Sequence, residues 1–241
     1  MDVILIPGFW LDGSSWAPVT AALAAAGHRP HPVTPLGLGP DDPTEVTLAD
    51  QAAAVVTVLD GLGAPAVVVG HSGGGAVAYA VADARPDAVA RLVYVDAGPL
   101  GEGGVVNDDL PVVDGMVPLP DWGFFEDEEL AGLSSSVLEE FRARARPVPA
   151  QVAAGPQRLH DERRYAVPAT VICSTMTADQ LRELMAGGHP YVAELTLARD
   201  VDILELPTGH WPQLSRPADL AALMVAAVDK TAADKAAVDK T

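Results

Sequence analysis

A chain of 241 residues that is 49% hydrophobic is long enough for one domain with a sizeable core, and an aromatic content of only 5% leaves Ala, Val and Leu to build it. With 33 acidic against 15 basic side chains the formal charge is −18, which repels a phosphate backbone and argues against nucleic acid as a partner. The one cysteine, Cys173, excludes an intrachain disulfide, and no Cys/His cluster suggests a metal. The acidity reads as a solvated surface, with a cationic substrate or a saline habitat as the alternative. Met1 to Gly8 lacks a basic region, its apolar run is short for a signal peptide, and no apolar stretch reaches the length of a membrane span. The expected location is therefore cytoplasmic, with no membrane partner.

In chain order, Val3 to Ile6 predicts a buried strand and Trp16 to Ala26 a helix closed by Gly27. Arg29 to Thr34 reads as a second strand, and Leu48 to Leu62 as a helix ended by Gly61 and Gly63. Ala66 to Val69 is the next strand, followed by a helix over Gly74 to Ala84 that stops before Pro86, then a strand over Leu92 to Val95. Thr170 to Cys173 and Val201 to Leu206 read as two more strands, and Pro217 to Ala227 as a last helix. Alternation of this kind predicts an α/β fold: a mostly parallel sheet with helices on both faces.

Residues 99–167 break the rhythm. They show no clear strand and begin with a Gly/Pro/Asp-rich stretch, and Glu126 to Arg146 reads as a helix with acids early and arginines late. The expected organisation is a core of residues 1–98 and 168–228, a small helical cap over 99–167, and a tail over 229–241. In that tail Ala226-Ala227-Val228-Asp229-Lys230-Thr231 recurs as Ala236-Ala237-Val238-Asp239-Lys240-Thr241, which suggests a helical extension or a frayed end.

Gly70-His71-Ser72-Gly73-Gly74 fits G-x-S-x-G between a strand and a helix, the setting in which a strained turn lifts a serine hydroxyl clear of the sheet. The helix that follows aims N–H groups at developing negative charge. A serine needs a base to become a nucleophile. Of the six histidines, His28 and His31 lie early in the chain, His71 adjoins the serine, His160 lies in the insertion and His189 in a Gly-rich loop. His210 follows the last strand, where an α/β sheet presents reactive groups, and is the expected base.

Pro7-Gly8-Phe9-Trp10 with Trp16, the Ser72 motif, and Gly209-His210-Trp211-Pro212 through Pro217 together resemble the α/β-hydrolase superfamily over nearly the whole chain outside the insertion and tail. The resemblance implies an oxyanion hole of the backbone N–H groups of Phe9 and Gly73, although the usual His-Gly is here Pro7-Gly8. Trp10 either lines the pocket or is a structural core residue; His71 and Trp211 are the other pocket candidates. The family usually takes its acid just after the strand Thr170 to Cys173, where this chain reads Ser174-Thr175-Met176-Thr177-Ala178-Asp179. A minority takes it from the end of the preceding strand, and Asp96 matches that place; Asp179 is the alternative acid, a Ser–His dyad is left open, and Asp202 stands at the wrong end of its strand.

The resemblance implies a carboxylic-ester-type hydrolase acting on a small ester, lactone or thioester through an acyl-enzyme on Ser72, with no cofactor. A non-hydrolytic lyase or cyclase and a small-ligand receptor are the alternatives. Trp122, Phe124 and Phe125 in the insertion suggest an apolar acyl or aryl group.

Overall fold

The structure, a computed structural model, describes residues 1–238. Its strands are β1 (Asp2–Ile6), β2 (Arg29–Pro32), β3 (Ala66–His71), β4 (Val89–Val95), β5 (Met116–Val117), β6 (Val148–Pro149), β7 (Ala169–Cys173) and β8 (Val201–Glu205). The helices are α1 (Ala17–Ala25), α2 (Leu48–Asp60), α3 (Gly73–Ala84), α4 (Ser135–Arg144), α5 (Ala150–Ala154), α6 (Ala178–Ala186), α7 (Ala193–Leu197), α8 (Pro212–Ser215) and α9 (Pro217–Val238).

Six strands form one parallel sheet in the order β2-β1-β3-β4-β7-β8. The central strands are mostly apolar because both faces are covered. Alternate side chains of β1 show this: Val3 and Leu5 pack with Trp16, Leu23, Leu220 and Met224 under α1 and α9, while Ile4 and Ile6 pack with Val55, Leu59, Val77 and Val81 of α2 and α3. Thr47 and Asp50 close a reciprocal capping box at the start of α2. All ten expected elements of the core, six strands and four helices, are present, with ends shifted by up to a few residues and with α9 much longer than expected. Helix α9 continues through the first copy of the C-terminal repeat to Val238, so the segment from 229 to 238 is helix rather than a loose tail. Asp239, Lys240 and Thr241 lie outside the described residues.

The insertion contains a short antiparallel pair, β5 with β6, in place of no strand at all. The helix expected over Glu126 to Arg146 is shorter: α4 begins at Ser135, where the Ser134 hydroxyl accepts from the Val137 N–H as an N-cap. Upstream, Gly132 at φ 81 breaks the helical path, and residues 126–133 form successive turns.

Candidate active site

Strand order places four loops side by side at the C-terminal ends of β3, β4, β7 and β8. Ser72 follows β3 and turns directly into α3, with φ 51 in the left-handed region. Gly8, after β1, comes so close to this elbow that a Cβ there would stand 2.6 Å from His71 Nδ1 and 2.8 Å from Ser72 Cβ, so only glycine lets the two loops meet. His210 follows β8, three strand positions from β3, a lateral distance of about 14 Å that its loop must cross.

The loop does cross. His210 Nε2 lies 2.8 Å from Ser72 Oγ, and His210 Nδ1 lies 2.7 Å from Asp96 Oδ2. The serine, histidine and aspartate expected from the sequence are thus brought into one hydrogen-bonded line. Asp96 sits directly after β4, at φ 43, and its carboxylate also accepts from the N–H groups of Ser174 and Thr175, both at 2.9 Å, and from the Thr175 hydroxyl at 3.0 Å. The loop after β7 therefore supplies donors to an acid on β4. Burial pushes the Asp96 carboxyl up, but the hydrogen bond and charge of His210 and the two amides outweigh it and hold the group below the ordinary carboxylate range. Asp179, the alternative acid, is exposed at the start of α6 and pairs with Arg182 at 2.9 Å instead. Asp202 pairs with Arg91 and Lys230 on the far edge of the sheet.

His71 is fully buried, which corrects its expected place on a pocket wall. Its Nδ1 accepts from the Gly8 N–H at 3.2 Å and from the Gln213 amide at 3.1 Å, so the proton is on Nε2, which donates to the His210 carbonyl at 2.7 Å. Burial, followed by the neighbouring His210, pushes His71 down to about 3, and it stays neutral at ordinary pH. The other backbone polar atom of His210 is held from the opposite side: its N–H donates to the Glu129 carbonyl of the insertion at 2.7 Å. Sequence reasoning missed Glu129, Gln213 and Thr175. Backbone carbonyls have no sequence signature, and the two side chains act only through tertiary neighbours.

Trp10 and Trp211 are likewise not walls of the cavity beside Ser72. Both are buried in an aromatic cluster with Phe125 and Phe141, and the Trp10 indole N–H donates to the Val117 carbonyl at 3.2 Å. The insertion's Trp122 and Phe125 pack into the same cluster, and Phe124 is exposed. Ser72 and His210 instead border a cavity of about 560 Å³ on the β4 side, walled by Ala76, Leu100, Val106, Pro190, Tyr191 and Glu194. A second cavity of about 240 Å³ continues past Asp96 and His210 towards Cys173 and Leu181. The Phe9 and Gly73 N–H groups border the elbow, and neither donates to a protein acceptor among the described residues. The Phe9 ring lies against Gly73, where a Cβ would stand 2.6 Å from it.

Among the described residues no group of His, Cys, Asp and Glu could hold a metal ion, and no helix is long and apolar enough to cross a membrane.

Comparison with known proteins agrees with this architecture. A relative, Lipase LipV of Mycobacterium tuberculosis, is 29% identical over 205 residues, covering 74% of each protein. Among solved structures, an extracellular alpha/beta-hydrolase from a Paenibacillus species superposes with a TM-score of 0.76 at 22% identity, over 93% of this chain and 98% of that one. A methylesterase from Arabidopsis gives 0.70 at 18% identity, over 95% and 99%. These structural likenesses carry the fold. Residues 3–223 match the sequence model of the alpha/beta hydrolase family, and the chain belongs to that family.

Proposed function

We propose that this protein is a serine esterase that hydrolyses small carboxylic esters through an acyl-enzyme on Ser72. The observation that carries the reading is the continuous line from Ser72 Oγ through both ring nitrogens of His210 to Asp96, at 2.8 and 2.7 Å, beside an open cavity. In that line the Ser72 hydroxyl donates to Nε2 and the Nδ1–H donates to Asp96, the tautomer that a general base requires. Ser72 attacks the ester carbonyl as His210 takes its proton, and the Phe9 and Gly73 N–H groups receive the oxyanion. His210 then protonates the departing alcohol and activates the water that releases the acid. The names of the relatives, a lipase and a methylesterase, support an ester over other acyl substrates.

The test is turnover of a short-chain p-nitrophenyl ester series by the wild type, Ser72→Ala, Asp96→Asn and Asp179→Asn. The wild type is expected to turn over. Ser72→Ala is expected to lose about 10⁶-fold in kcat because it lacks the nucleophile, and Asp96→Asn about 10⁴-fold because it favours the wrong imidazole tautomer. Asp179→Asn is expected to stay within about twofold of wild type. An active Ser72→Ala variant, or a loss confined to Asp179→Asn, sinks the assignment.

A further inference from the structure

The cavity beside Ser72 contains a carboxylate that the proposed chemistry does not use. Glu194, on α7, forms part of its wall. One oxygen is fully engaged: Oε2 accepts from the Tyr79 hydroxyl at 2.5 Å and lies 3.5 Å from the Arg164 guanidinium. Burial, together with the hydrogen bond to Glu194, pushes the Tyr79 hydroxyl far above its ordinary range, so it remains a donor. The Tyr165 hydroxyl also hydrogen-bonds this carboxylate, and the other oxygen, Oε1, lies against Gly101, a neighbouring residue of the same wall.

Arg164 does not cancel this charge. Its NH1 also donates to Asp83 at 3.2 Å, so one guanidinium serves two carboxylates and the group as a whole is negative. Tyr79, Arg164 and Asp83 are each under 10% exposed, and they hold Glu194 in one orientation. No Lys or Arg lines the cavity; its other titratable side chains are Asp96, Glu102, Tyr191 and His210. A fixed carboxylate in the wall of a pocket lined by no cation is complementary to a positively charged donor.

We infer that Glu194 is a specificity determinant and that its Oε1 receives an ammonium group, so that the preferred substrates are amine-bearing esters. The inference rests on the hydrolase reading of Ser72. n-Butylammonium and n-butanol have chains of equal length and differ in charge at one end. Both are titrated as competitive inhibitors of p-nitrophenyl acetate hydrolysis by the wild type and Glu194→Gln. The wild type is expected to bind the ammonium at least about tenfold more tightly than the alcohol, and the variant to bring the ratio close to one. Equal inhibition of the wild type, or an unchanged ratio in the variant, overturns the inference. Because Glu194→Gln disturbs Arg164 and can fail to fold, the wild-type ratio is also read from about 20 to about 500 mM NaCl. A charge contact collapses towards one as salt screens it, and a salt-independent ratio counts against Glu194. If the wild type hydrolyses no ester, the hydrolase reading has failed on its own, and calorimetric titration of n-butylammonium into wild type and variant still decides the role of Glu194.

Discussion

Asp96, Ser72 and Trp10 are three of the four non-glycine residues with a left-handed backbone among the described residues, and all three lie in the loops around the site. Such conformations cost about 1–3 kcal/mol each and persist only where the surroundings hold them. Asp96 is held by Ser174, Thr175 and His210, and Trp10 by its indole hydrogen bond to Val117. The serine and the histidine could be read from the sequence because both stand in short motifs with a fixed structural setting. Asp96 could be named only as one of two acids, since the choice depends on which strands become neighbours. His71 was legible as a residue but not in its surroundings. Its neutral, buried state has a measurable consequence. The unfolded chain takes up a proton near 6.5, whereas folded His71 resists it down to about 3. Stability from this group is therefore complete above 6.5 and is lost as pH falls towards 3, a loss of about 2 kcal/mol by pH 5. Urea midpoints of wild type and His71→Gln, measured at pH 7 and pH 5, check this: the wild type is expected to lose more on acidification than the variant. Parallel losses would mean that His71 titrates alike in both states.

Among the elements, the core strands were legible because burial on both faces writes them as mostly apolar runs. The insertion was not, because its arrangement depends on contacts with the core rather than on periodicity. Its aromatic residues looked like a pocket lining, yet Phe125 packs against Trp10 and Trp211 and Trp122 packs against Phe125 and Phe141, while Leu100 and Val106 reach the cavity. The turns over 126–133 are pinned to the histidine loop: Gly209 N–H donates to the Ala131 carbonyl at 3.0 Å, and His210 N–H to that of Glu129. A Cβ at Gly209 would overlap the Glu129 carbonyl oxygen and stand 2.6 Å from that of Ala131. Backbone atoms cannot swing aside as a side chain can, so Gly209→Ala is expected to push the two segments apart. The expected result is a fall in kcat of about 10²-fold with a lowered Tm, since displacement of about 1 Å at a reacting group costs that much. Steady-state kinetics and thermal melts check it, and a variant with wild-type kcat would show that this packing does not locate the base.

Across the whole molecule, the same sheet that aligns the site also anchors the end of the chain. Arg91, buried on β4, donates to Asp202 of β8 at 3.0 Å and lies 3.7 Å from Asp234 of α9, so the last helix is tied to the end of the sheet opposite the loops that carry Ser72, Asp96 and His210. The charge of −18, read from composition as surface solvation, has a local counterpart in the cavity, where Glu102 and Glu194 face the space beside Ser72. The insertion's grip on His210 also bears on kinetics. A segment that accepts a hydrogen bond from the His210 N–H cannot swing away without disturbing that histidine. Contact with an oil–water interface then has no closed state to relieve. The rate on tributyrin is expected to rise hyperbolically and pass through the solubility limit without a jump, and a pH-stat titration across that limit would reveal a sudden rise if the cap behaves as a lid.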